Sequence, residues 1–173
     1  MRDDDPAAPA PPAPRRRRGI LAAAAVALLA AGVVAAALFQ PWRLWTVRTA
    51  SDPAPAIAGA PLASGELGSL AHGTTGTAVL ARATDGTVVL HLRDLATSDG
   101  PDLRVWLSTA GPSAARSADD ATYLDLGPLR ANRGSLTYAL PADADPGEYR
   151  SVVIWCRRFS VAFGAAGLAP PPS

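Results

Sequence analysis

Residues 77–95 read TAVLARA-TDG-TVVLHLRDL: two apolar runs, Thr77–Ala83 and Thr87–Leu95, joined by Thr84-Asp85-Gly86. An Asp-Gly pair between such runs is the strongest short hairpin signal, because both residues accept the positive φ that a tight turn demands. In the second run Val88, Leu90 and Leu92 fall on one face, and Val89, His91 and Arg93 on the other. That period of two is the period of a strand. The same alternation continues downstream, where Leu103, Val105 and Leu107 interleave with Arg104, Trp106 and Ser108. Tyr123–Leu126, Ser135–Leu140, Tyr149–Cys156 and Phe159–Phe163 read as further strands. Turn signals separate them at Gly100-Pro101, Gly111-Pro112, Gly127-Pro128, Asn132-Arg133-Gly134 and Pro146-Gly147. Val152–Trp155 is apolar on both faces, which predicts a central strand. Ala110–Ala121 is the only helical candidate in this part, and Gly111-Pro112 opens it. The expected fold is an all-β antiparallel sandwich or barrel-like domain of about 7–8 strands.

Upstream the character of the chain changes. Residues 1–18 run from acidic through proline-alanine to Arg15–Arg18, and predict a disordered N-terminus. The 21 residues 19–39 carry no charge and no polar side chain. As a helix rising roughly 1.5 Å per residue they span about 31 Å, against a hydrocarbon core of about 30 Å. Trp42 and Trp45 follow where an interfacial aromatic belt would sit. Ala35-Ala36-Ala37 also offers a signal-peptidase site, so a cleaved signal competes with an anchor. The length of the run and the two tryptophans favour a transmembrane helix over 19–39 whose partner is the lipid bilayer. Four arginines before the run predict a cytoplasmic N-terminus and an extracytoplasmic remainder at the cell membrane. Residues 40–61, rich in proline and alanine, read as a linker; 62–168 as the β-domain; 169–173 as a loose tail.

Composition removes several functions. All 16 basic residues are arginine, since the chain contains no lysine. Walker A loops, Schiff-base chemistry and Ser-x-x-Lys acyl enzymes all need one. A formal net charge of +1 gives no support for a nucleic-acid partner. One cysteine and two histidines exclude an internal disulfide, a cysteine-rich zinc site and a multi-histidine metal centre. G-x-S-x-G, H-E-x-x-H and G-x-G-x-x-G are absent, as is the C-x-x-C-H of covalent haem. Asp143-Ala144-Asp145-Pro146-Gly147-Glu148 lacks the spacing of a calcium loop and reads as a polar turn.

The domain resembles the electron-transfer DM-thirteen family. The residues that carry the resemblance begin with Ser64-Gly65, His72 and Gly76. Gly100-Pro101-Asp102-Leu103 with Trp106-Leu107, then Leu126-Gly127-Pro128-Leu129, Gly134 and Tyr138, continue it. The most specific stretch is Tyr149-Arg150-Ser151-Val152-Val153-Ile154-Trp155-Cys156, followed by Phe159, Val161 and Phe163. Leu67 stands where the family pattern has an aromatic residue. The resemblance implies an all-β domain whose cysteine serves redox chemistry, as a bare thiol or as ligand to a prosthetic group such as haem.

Cys156 is the candidate redox residue. Arg157-Arg158 follow it, and cationic neighbours stabilise a thiolate. In an extended strand Arg158 shares the Cys156 face, so Arg158 is the expected electrostatic partner. The bland alternative is that Cys156 simply packs in the core. His72, matched by the family pattern, is the ring expected to approach the sulfur or share a cofactor with it; otherwise it fixes a turn. His91 faces away from Leu90 and Leu92 and reads as a solvated or second-face residue. Trp106 reads as surface or second-layer core. Two functions follow: a membrane-tethered electron-transfer module with an unidentified redox partner, or a non-catalytic envelope-binding module in which Cys156 is structural.

Overall fold

The computed structural model describes residues 15–39, 47–114 and 122–171. It divides into two compact units, Met1–Pro41 and Trp42–Ser173. The first contains one helix, α1 (Arg15–Phe39). Its stretch Gly19–Leu38 has a mean hydropathy of 2.6 and none of it is buried against protein. The helix is long and apolar enough to cross a membrane, and a signal sequence meets the same description. Trp42 and Trp45 lie outside the described residues.

The second unit is built from strands. They are β1 (Thr49–Ser51), β2 (Ala63–Glu66), β3 (Gly68–Ser69), β4 (Thr74–Arg82) and β5 (Val88–Thr97), then β6 (Leu103–Ser108), β7 (Tyr123–Pro128), β8 (Arg133–Ala139), β9 (Ser151–Cys156) and β10 (Val161–Gly167). Two five-stranded sheets form, ordered β1-β8-β5-β4-β2 and β3-β10-β9-β6-β7. Every pairing is antiparallel except β1 on β8. The expected sandwich is there, but with ten strands among the described residues rather than 7–8. The additional ones are β1, β2 and β3. Each is two to four residues of Thr, Ala, Ser, Gly or Glu, too short and too polar to show an alternation. The last strand also starts later than expected: Phe159 is half exposed in a turn, and pairing begins at Val161.

The β4–β5 hairpin turns where the sequence demands. Gly86 sits at φ +90°, and Asp85 Oδ1 accepts the Thr87 amide at 2.9 Å. Leu90 and Leu92 enter the core between the sheets with Leu80, Leu136, Val105, Leu107, Val152 and Ile154. In β9 all six residues are buried, as expected for a central strand. Strand pairing takes up Thr49–Ser51, inside the stretch read as linker: Arg48 N donates to Asn132 Oδ1 at 2.7 Å, and β1 then runs along β8. Gly134 makes that approach possible. Its φ is +100°, and a Cβ there would overlap the Ala50 carbonyl oxygen. Of the helical candidate Ala110–Ala121, residues 115–121 lie outside the described ones. Around Asp143–Glu148 a polar turn forms, with Asp145 Oδ1 accepting from Gly147 N.

Two substitutions test this architecture by urea unfolding of the full chain. Ile154→Asp puts an unpaired charge into a fully buried central strand, at a cost on the order of 4 kcal/mol or more, and should leave no cooperative transition. Gly134→Ala should cost about 1–3 kcal/mol, because the residue needs a positive φ and β1 lies against it.

Candidate functional site

Cys156 closes β9. It pairs with Leu103 of β6 on one side and Val161 of β10 on the other. Alternation along β9 sends Val152, Ile154 and Cys156 between the sheets, and Val153 and Trp155 to the outer face. The thiol is therefore fully buried, in the same apolar cluster as Leu103 and Phe163. A thiolate formed there would be a charge among hydrocarbon side chains, and burial of a charge is tolerated only with a partner.

Immediately after Cys156 the chain leaves the sheet. Residues 157–160 form an exposed turn that ends with Ser160 at φ +50°, a conformation L side chains seldom adopt. The turn is tied back by Arg157, whose amide donates to the Asp102 carbonyl at 2.9 Å and whose Nε donates to Asp102 Oδ2 at 2.8 Å. Gly100-Pro101-Asp102 and the Cys156 strand end thus meet. Arg158 lies exposed in the same turn. The alternation that would set it on the Cys156 face stops at Cys156, because β9 ends there.

His72 is half-buried in the connection between β3 and β4. Its ring lies on that of Phe163, with centroids 3.9 Å apart, and its amide donates to the Phe163 carbonyl at 3.3 Å. Phe163 in turn belongs to the Cys156 core and lies so close to Gly100 that a Cβ there would be 3.1 Å from the ring. Phe163 thus packs on His72 and belongs to the same core cluster as Cys156.

Beside His72 lies a feature the sequence reading missed. A cavity of about 370 Å³ is lined by Ser69, Thr74, Thr97, Ser98, Asp99 and Asn132, among others. Asp99 is buried. Its Oδ1 accepts from Arg48 Nη2 at 2.8 Å and from the Gly100 amide at 2.9 Å. Thr74 and Thr97 share a hydroxyl–hydroxyl bond of 2.8 Å. Arg48 is 51 residues from Asp99 and 84 from Asn132, so no local pattern announces the arrangement.

Among the described residues no three His, Cys, Asp or Glu side chains gather as a metal site. The residues do not fit a haem bound through Cys156 either. The sulfur has no exposure, and a porphyrin would have to displace Leu103 and Phe163 to reach it.

His91 points to the outer face of the first sheet, as its parity requires, yet is only 5% exposed. The segment 52–61 covers it. Ile57 bridges Ala83, Ala58 N donates to Arg82 O, and Ala54, Pro55 and Ile57 enclose with His91 and Arg93 a small apolar cavity of about 230 Å³. His91 Nδ1 lies 2.8 Å from Thr137 Oγ1.

The family described as electron transfer DM13 matches residues 66–168. No curated protein and no solved structure matches the chain.

Burial under this segment holds the His91 imidazole below its ordinary range; Arg93 adds to the depression and Asp52 opposes it. The unfolded chain therefore binds a proton, near pH ~6.5, that the folded one refuses, and stability falls as pH drops through that value. Urea midpoints should be lower at pH ~5 than at pH ~7.5, and His91→Gln should flatten the difference. An unchanged slope in the variant would assign the pH dependence elsewhere.

Proposed function

The chain belongs to the electron transfer DM13 family, and on that premise we propose that its β-domain is a membrane-tethered, extracytoplasmic electron-transfer module with Cys156 as its redox group. The observation that supports this is the meeting of two stretches at one place. Asp102 of the Gly-Pro-Asp turn holds Arg157, next to the chain's only thiol. The tie fixes the mouth of the β9–β10 connection. The exposed turn 157–160 follows Cys156 directly, and its opening is the proposed route from solvent to the sulfur. On that route Arg158, in the same turn, is the proposed cation for a thiolate, and His72, stacked on Phe163, is the proposed proton carrier. The thiol gives one electron to a one-electron carrier and its proton to water, and the thiyl radical returns by the reverse step. The helix over 19–39 tethers the domain, with Arg15–Arg18 on the cytoplasmic side.

A second reading has its own observation. Cys156 is fully buried among Leu103, Ile154 and Phe163, as a packing residue would be. In that reading the domain is an envelope-binding module, and the polar cavity over Asp99 and Arg48 is the surface that binds.

Alkylation of the full chain in detergent separates the two. The redox reading expects slow but complete modification of native Cys156, and loss of the redox signal in Cys156→Ser without loss of fold. A thiol that reacts only after denaturation, in a protein whose redox behaviour Cys156→Ser leaves intact, overturns it. For topology, protease added to intact cells should remove the domain and leave a short membrane-bound fragment; a released, soluble domain would identify 19–39 as a cleaved signal.

A further inference from the structure

The outer face of the second sheet carries three aromatic rings in a row. Trp155 of β9 and Trp106 of β6 stack with centroids 4.8 Å apart and planes within 20°. Trp106 and Tyr123 of β7 stack at 3.9 Å and 14°. Cross-strand register produces the row. Trp106 opposes Val153 on one side and Asp125 on the other, so each aromatic partner sits two residues off, at the diagonal position that large rings reach. The row leads outward. Trp155 and Trp106 are 4% and 6% exposed, and Tyr123 is 46% exposed. Its inner end is the residue preceding Cys156.

Packing alone does not account for the middle ring. Trp106 Nε1 is buried with no hydrogen-bond acceptor among the described residues. Leaving such a donor unpaired works against folding, and a phenylalanine would fill the outer layer without carrying it. An indole at this position adds instead a ring that loses an electron readily, in van der Waals contact with another indole and a phenol.

We propose that Tyr123, Trp106 and Trp155 form an electron relay from the surface to the strand that bears Cys156. The partner is a one-electron oxidant seated at Tyr123. It takes one electron from the phenol, whose O–H bond breaks and releases the proton to water. The phenoxyl radical takes an electron from Trp106 and recovers a proton from water, and the Trp106 radical cation takes an electron from Trp155. The oxidant is reduced by one electron; the vacancy is at rest on Tyr123 and reaches Trp155 only as a transient that a donor behind it fills. The relay deepens the electron-transfer reading, in which Cys156 is the group that refills Trp155.

The experiment reads the stack without the thiol. In the full chain carrying Trp42→Phe and Trp45→Phe, Trp106 and Trp155 are the only indoles. A light flash tuned to the indole absorption edge, with the ejected electron scavenged, creates the vacancy on one of them. Phenoxyl absorption should then grow as the indolyl absorption decays, at a rate independent of protein concentration. Tyr123→Phe, a conservative change at a half-exposed site, should abolish that growth. Trp155→Phe should keep it, because Trp106 still touches Tyr123. Trp106→Phe should lose it, because the bridge is gone; circular dichroism checks that each variant is folded. Growth that persists in Tyr123→Phe, or in folded Trp106→Phe, overturns the relay, as does its absence from the parent chain. The growth should still occur in Cys156→Ser, where no thiol refills Trp155, so failure of the thiol and failure of the relay are told apart.

Discussion

The burial of β9 is the constraint on which the domain depends. All six residues of Ser151–Cys156 are inside, with β6 on one edge and β10 on the other. A strand hidden on both faces must be apolar throughout, and each face then needs its own cover. Val152, Ile154 and Cys156 meet the first sheet, whereas Val153 and Trp155 meet Trp106, Ala162 and Ala165 on the outside. Cys156 and the aromatic row are thus two products of one strand, neighbours in sequence and separated by the thickness of a sheet.

That geometry explains why a redox role at this cysteine is a question of access rather than proximity. The sulfur sits at the last paired position before the chain turns, and Asp102 ties that turn through its carbonyl to the Arg157 amide and through an ion pair with the Arg157 side chain. Arg157 is largely exposed, and an exposed pair of this kind contributes at most about 1 kcal/mol. The core around Cys156 is closed, but it is closed next to an exposed turn.

What could be read from the chain follows the range of the forces involved. The β4–β5 hairpin was legible because Asp85-Gly86 and the flanking alternation are local. β9 was legible because an apolar run bounded by Arg150 and Arg157 is local as well. β1, β2 and β3 carry no such signal, and they exist only because distant strands offer them backbone partners. His91 shows the same limit: parity gave its face, but its cover comes from 52–61, which sequence showed only as proline-rich linker. Arg158 shows another, since alternation holds only while the strand lasts. At the candidate site Cys156, His72 and the Gly-Pro-Asp turn stood out in the sequence. The Arg48–Asp99 pair and the Tyr123–Trp106–Trp155 row did not, because both depend on register between strands far apart in the chain.

The ten strands also bear on how the protein behaves among its neighbours. Four of them are sheet edges: β1, β2, β3 and β7. The first three offer only two to four residues each, and β7 ends in Gly127-Pro128 with Asp125 held by Arg104. A proline and a paired charge on a short edge leave little ladder for a second chain to add to. The polar fragments that escape detection as strands therefore act as end stops. They limit the ladder along which the edges of two such domains could pair.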